Sequence, residues 1–176
     1  MGWCSTLQNL AVGGCESISM NMETITVKFD LSTNNYAQHT TGDWVGSPDA
    51  LSFSAVYQNQ VLADIDSVEG KQTIQFELEL EDGDQELQFI MKNKTEEHTQ
   101  VDDNGNIIAD LFLTINNMQI DNIDLDFNFY DNCVYHHDCN GTQDPIEDSF
   151  HGTMGCNGTV IFKFSVPFYI WLLENF

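Results

Sequence analysis

Apolar residues recur at every second position along most of this chain, the signature of strands with one buried face. From Thr24 to Leu31, Ile25, Val27, Phe29 and Leu31 point one way while Thr26, Lys28 and Asp30 point the other. Leu51, Phe53, Ala55 and Tyr57 repeat the pattern, and Asn59 marks a turn into Val61–Ile65. Thr73 to Glu81 alternates most cleanly, with Ile74, Phe76, Leu78 and Leu80 inward and Gln75, Glu77 and Glu79 outward. Asp82-Gly83 then predicts a tight hairpin onto a return strand built on Leu87, Phe89 and Met91, since both residue types accept positive φ.

A polar, acidic loop follows from Asn93 to Asn106. Ile107 to Ile115 resumes the strand pattern with Leu111, Leu113 and Ile115 on one face, and Asn116-Asn117 reads as a bulge or turn. Met118, Ile120, Ile123, Leu125, Phe127 and Phe129 continue in extended style. Residues 131–158 lose the periodicity and read as an irregular insertion. Val160, Phe162, Phe164 and Val166 form a late strand. Pro167 then suits the first turn of a short helix carrying Phe168, Ile170, Trp171 and Leu172 to Phe176. A helix this short is marginal alone and needs a surface to dock on.

No segment before residue 130 shows a long 3.6-residue period. The fold class predicted is all-β, an antiparallel β-sandwich of jelly-roll type over 21–166 with a short C-terminal helix. Residues 1–20 are weakly patterned and read as an N-terminal arm. Residues 167–176 read as a docking helix. Its Pro167, Phe168, Trp171 and Phe176 are candidate interface residues, facing either their own sandwich or a neighbour.

Charge narrows the partners. The 28 acidic residues face five lysines and no arginine, for a formal net charge of -23. Nucleic acid and anionic membranes are repelled by such a field. Hard cations are attracted instead, since Ca²⁺ takes carboxylate and carbonyl oxygens. The opening residues lack a basic leader followed by a long apolar run, so no signal peptide is expected. The run Phe168–Leu173 is far short of the roughly 20 residues that a membrane span requires. Three Asn-x-Thr triplets begin at Asn93, Asn140 and Asn157, and without a leader they read as chance matches.

The acidic loop is the first candidate site. Asp102, Asp103, Asn104, Asn106 and Asp110 offer mostly oxygen ligands. The glycine spacing is not that of an EF-hand. The plainer reading of Asp102–Asn106 is a turn whose Asn104-Gly105 supplies positive φ. Asp110 stands apart, because it interrupts an apolar strand.

An alternating hairpin, Asn93 at a strand end, an acidic loop, Asp110 and the closing Ile120-Asp121-Asn122-Ile123 together resemble the small calcium-dependent carbohydrate-binding modules that recognise xylan-like sugars. That resemblance spans about residues 22–130. It implies a β-sandwich with calcium as cofactor and Asn93 and Asp110 as ligands, and the oxygen-rich loop itself adds Asp102 and Asn104 to the candidate set. Lys94 stands where the family has a second Asp. The same hairpin and loop also resemble structural proteins of marine tailed phages, which implies a virion setting, or otherwise an extracellular one.

Cys133-Val-Tyr-His136-His137-Asp138-Cys139 is the second candidate site. The readings are a zinc site from Cys133, His136, His137 and Cys139, a Cys133–Cys139 disulfide, or free thiols. Cys156 and His151 are positioned to complete either the metal site or the bridge. The total of five cysteines is odd, which argues against a closed disulfide framework.

The chain contains no G-x-S-x-G, H-E-x-x-H or P-loop pattern, so no enzyme is expected. Trp44 and Asp43, in the polar loop 32–49, are candidate glycan contacts, because an exposed indole stacks on sugar rings. The residues together predict a non-catalytic structural or adhesion subunit of a homo- or hetero-oligomeric assembly, a phage virion protein on capsid, tail or fibre. The alternative is a free or secreted calcium-dependent carbohydrate-binding module.

Overall fold

The computed structural model describes residues 22–33 and 50–175. Among these residues, thirteen strands and two short α-helices run in the order β1 (Met22–Thr33), β2 (Ser52–Tyr57), β3 (Gln60–Ile65), β4 (Lys71–Glu81), β5 (Gly83–Lys92), β6 (Thr99–Val101), β7 (Ile107–Asp110), β8 (Leu113–Ile120), β9 (Ile123–Asp124), α1 (Asp126–Asp131), β10 (Cys133–His137), β11 (Ile146–Ser149), β12 (Thr153–Met154), β13 (Gly158–Val166) and α2 (Phe168–Asn175), with one 3₁₀ turn at Glu96–His98. Two sheets make the sandwich. One has the order β12-β8-β1-β4, with β9 also on β8, and the other β11-β10-β13-β5-β2-β3. The pairings within them are antiparallel, and β6–β7 forms a separate hairpin.

The predicted inward residues of β1, Ile25, Val27, Phe29 and Leu31, are fully buried. So are Phe53, Phe89 and Phe162 from the opposing sheet. The Phe29 ring meets Phe53 at 5.9 Å and Phe89 at 5.3 Å, both edge-on, and so locks one sheet to the other. Full burial of each such ring contributes about 2–3 kcal/mol. The expected Asn116-Asn117 irregularity is a bulge. The β1–β8 register jumps from Lys28↔Gln119 to Asp30↔Asn116, with Asn117 at φ +52°.

Asp82-Gly83 does not close a hairpin. β4 pairs with β1, whereas β5 pairs with β2 and β13, so the chain crosses from one sheet to the other at this point. Gly83 sits at φ +113° in open space, so its backbone freedom, not its size, makes the corner. Gln85 holds that corner. Its amide donates to the Glu81 carbonyl at 2.7 Å, and Tyr57 Oη donates to its Oε1 at 2.6 Å.

Two other expectations change. Leu125–Phe129 is not extended: Asp121 and Asn122, both at positive φ, turn β8 into β9, and α1 follows. Two positions along a helix rotate about 200°. Phe129 is therefore buried while Phe127, at 80%, is exposed. The insertion 131–158 contributes three strands, with β10 and β11 extending one sheet and β12 edging the other.

Helix α2 docks on its own sandwich. Phe168 and Trp171, expected at an interface, belong to the core. They stack at 5.6 Å, and Trp171 meets Phe162 edge-on at 5.8 Å. Phe168 N–H donates to Glu23 Oε2 at 2.9 Å and Tyr169 Oη to Asp121 Oδ2 at 2.9 Å. Pro167 is exposed, and Ile170 and Leu173 face solvent. Phe176 and the arm 1–20 lie outside the described residues. No helix among the described residues is long and apolar enough to cross a membrane.

Candidate functional site

The four expected calcium ligands do not converge. Asp102 and Asn104 form the tip of the β6–β7 hairpin, where Asp102 accepts hydrogen bonds from Asn104 N, Asn106 N and Asn106 Nδ2 at 2.8–2.9 Å. The Asn106 bonds hold its carboxyl below the usual range. Asp110 lies at the hairpin base, opposite Thr99. At about 3.3 Å per residue, that puts it roughly 10 Å from the tip. Asn93, at φ +69°, lies in a recess with Thr95, Glu96, Glu97 and His98.

Asp110 has a cation already. Lys94 Nζ donates to Asp110 Oδ1 at 2.7 Å and to the Gly155 carbonyl at 2.5 Å, with the lysine side chain only 2% exposed. Thr99 Oγ1 adds a bond to the same carboxylate oxygen at 2.6 Å. The Asn157 amide clamps the Lys94 backbone from both sides, accepting from its N–H at 2.8 Å and donating to its carbonyl at 2.7 Å. The lysine that departs from the carbohydrate-module pattern thus supplies the positive charge that an ion would bring.

Beside this network the chain assembles a thiol–imidazole corner. β10 alternates, so Tyr135 points inward and packs against the His137 ring at 4.4 Å, tilted by 35°. The chain then bends through Cys139, Asn140 and Gly141, all at positive φ. Asp138 secures the bend by accepting from Gly141 N–H at 2.9 Å. Cys139 Sγ reaches to 3.5 Å from His137 Nδ1. Cys156, in the segment leading into β13, completes a set whose ligand atoms all lie within 4.8 Å of one another. Tyr135 Oη donates to the Cys156 carbonyl and accepts its N–H, which fixes the Cys156 backbone. On the far side of the ring, His137 Nε2 lies 3.1 Å from Asp148 Oδ2 on β11. Burial, and then the neighbouring Cys139, push the Cys156 thiol up to about 11.

This set differs from the expected one. His136 lies on the opposite side of the strand, 3.5 Å from Glu147. Cys133 opens β10 opposite Phe162 and is core, and burial pushes its thiol far up. Cys139 sits by His137, at the Gly158 end of the same strand pair. β10 spans about 13 Å between the two ends, too far for a Cys133–Cys139 bridge, and the three described cysteines are free. The sequence signal missed was Asp148, which nothing but the β10–β11 pairing brings to His137.

A third feature lies on the outer face of the first sheet, where a groove of about 710 Å³ runs over β1, β4 and β8. Lys28, Asp30, Asn116, Asn117, Gln119 and Asp124 line it, and exposed Phe127 stands at its side. Asp30 accepts from Thr73 Oγ1 at 2.7 Å, Asn117 Nδ2 at 2.6 Å and Lys71 Nζ at 2.9 Å. Led by Lys71, these donors hold its carboxyl at about 2. Gln119 Nε2 donates to Asp124 Oδ1 at 2.6 Å. Trp44 and Asp43, the expected glycan contacts, lie outside the described residues. No protein family, no curated protein and no solved structure matches the chain.

Proposed function

We propose that this chain is a non-catalytic structural and adhesion subunit of a larger assembly, a β-sandwich of the kind displayed on phage virions, and that its outer-face groove binds a surface glycan. One observation carries the reading: the Phe127 ring, 80% exposed, stands beside a groove of fixed amides and carboxylates. A large aromatic left in water costs free energy that a sugar's C–H face recovers by stacking. Asn117 and Gln119 have each committed an N–H to a neighbouring carboxylate, which orients their amides for hydroxyl groups. Pre-oriented polar groups give specificity at little ordering cost.

The net charge of -23 favours neutral over anionic glycans. Asp30 is held ionised by three donors, so it is a poor proton donor, which favours binding over hydrolysis. Calcium has no part in this reading. The test is a glycan array with wild type and Phe127→Ala. Neutral glycans should be retained by wild type and lost at least tenfold in the variant. An array with no binding, or binding that survives the substitution, contradicts the proposal.

A further inference from the structure

We infer that His137, Cys139 and Cys156 form a binding site for a thiophilic divalent cation of the zinc type. The three ligand atoms come from a strand end, a bend and a separate segment, yet converge within 4.8 Å. A tetrahedral ion with Zn–S of about 2.3 Å and Zn–N of about 2.0–2.1 Å sets sulfur and nitrogen about 3.5 Å apart. Cys139 Sγ and His137 Nδ1 stand at 3.5 Å. Both thiols would release their protons to solvent on binding.

The ring is prepared for this role. Its Nε2 faces Asp148 at 3.1 Å, so a proton there leaves the Nδ1 lone pair towards the sulfurs. The Cys139 N–H donates to Nδ1 at 3.3 Å, which marks Nδ1 as the acceptor nitrogen, and an ion would displace that donor. A ligating histidine held from behind by a carboxylate is the usual outer shell of a zinc site. Gly158 lets the backbones close up: a Cβ there would lie 2.4 Å from the His136 carbonyl and 2.9 Å from His137 Cβ.

A nucleophile–base pair needs one thiol and a cavity for substrate. Here two thiols share one imidazole, and the two cavities described above, the groove and the recess, are lined by other residues. Two sulfurs and one nitrogen suit zinc, and soft donors disfavour calcium. A bound ion would tie β10, its bend and the start of β13 together.

Cobalt(II) reports the site directly. Reduced, metal-free full-length protein should take up one Co²⁺ per chain, with a sulfur-to-cobalt charge-transfer band and tetrahedral visible absorption, both removed by Zn²⁺. Cys139→Ser and Cys156→Ser should each abolish the band. Cys133→Ser should keep it, as should a joint Cys4→Ser and Cys15→Ser change of the two cysteines outside the described residues. Asp148→Asn should weaken affinity by about 10- to 100-fold. Zn²⁺ should also raise the melting temperature of wild type, a readout independent of whether the variants fold. Reduced wild type that takes up no cobalt, a band that survives Cys156→Ser, or a Cys139–Cys156 disulfide that reductant does not open would overturn the site.

Discussion

Lys94 Nζ lies 2.7 Å from Asp110 Oδ1, with the lysine side chain 2% exposed and the aspartate side chain 28%. A buried ammonium is tolerated when it is paired and hydrogen-bonded, and Gly155 and Thr99 add bonds to this pair.

Removing the cation should therefore cost more than removing a surface charge. Lys94→Ala takes the ammonium from Asp110 and leaves the Gly155 carbonyl without that donor. The expected loss is about 2–3 kcal/mol in urea unfolding, at the lower end for a broken buried pair because Asp110 is partly exposed. Lys163→Ala removes a lysine that is 54% exposed and 3.8 Å from Glu86, and should change stability by less than about 0.5 kcal/mol.

Gly158→Ala tests the close packing of β10 on β13. The new methyl would fall 2.4 Å from the His136 carbonyl, a backbone atom that cannot swing aside. The two strands must separate, at a cost of about 1–3 kcal/mol. Gly70→Ala is the comparison, since Gly70 has open space around it and pays only for its φ of +63°. Thermal unfolding of the two variants should show the larger loss at Gly158.

Asp30 predicts an acid dependence. Its carboxyl falls from an ordinary 3.8 to about 2 in the folded state, chiefly through Lys71 and then Asn117 and Thr73. A depressed folded value means that the stabilisation is present above about 3.8 and is lost as pH falls through about 2. Allowing for solvent screening at the sheet surface, the contribution is about 1 kcal/mol. The stability gap between wild type and Asp30→Asn should be widest above pH 5 and should close by about that amount at pH 2. A gap that does not move with pH would refute the assignment.

Strand positions were legible because alternation is a local property. Every apolar residue assigned to the inward face of β1 and β13 is buried. Pairing was less so. Asp82-Gly83 serves a hairpin and a corner between sheets equally well, and both alternatives leave Leu78, Leu80, Leu87 and Phe89 inward. Helix α1 escaped because two phenylalanines two positions apart mimic a strand. At the thiol corner, His137 and Cys139 were readable from residue type, whereas β10–β11 pairing alone brings Asp148 to the imidazole. In the acidic loop, sequence alone does not show that Lys94 folds back onto Asp110, because the two are brought together only by the fold.

The groove is the central claim, and side-chain amide NMR tests it most directly. During titration with a glycan that the wild type retains on an array, the Asn116, Asn117 and Gln119 amide signals should shift together and saturably, and Phe127→Ala should abolish the shifts. Shifts confined to the β6–β7 hairpin or to Trp44, with the groove amides unmoved, would contradict the account.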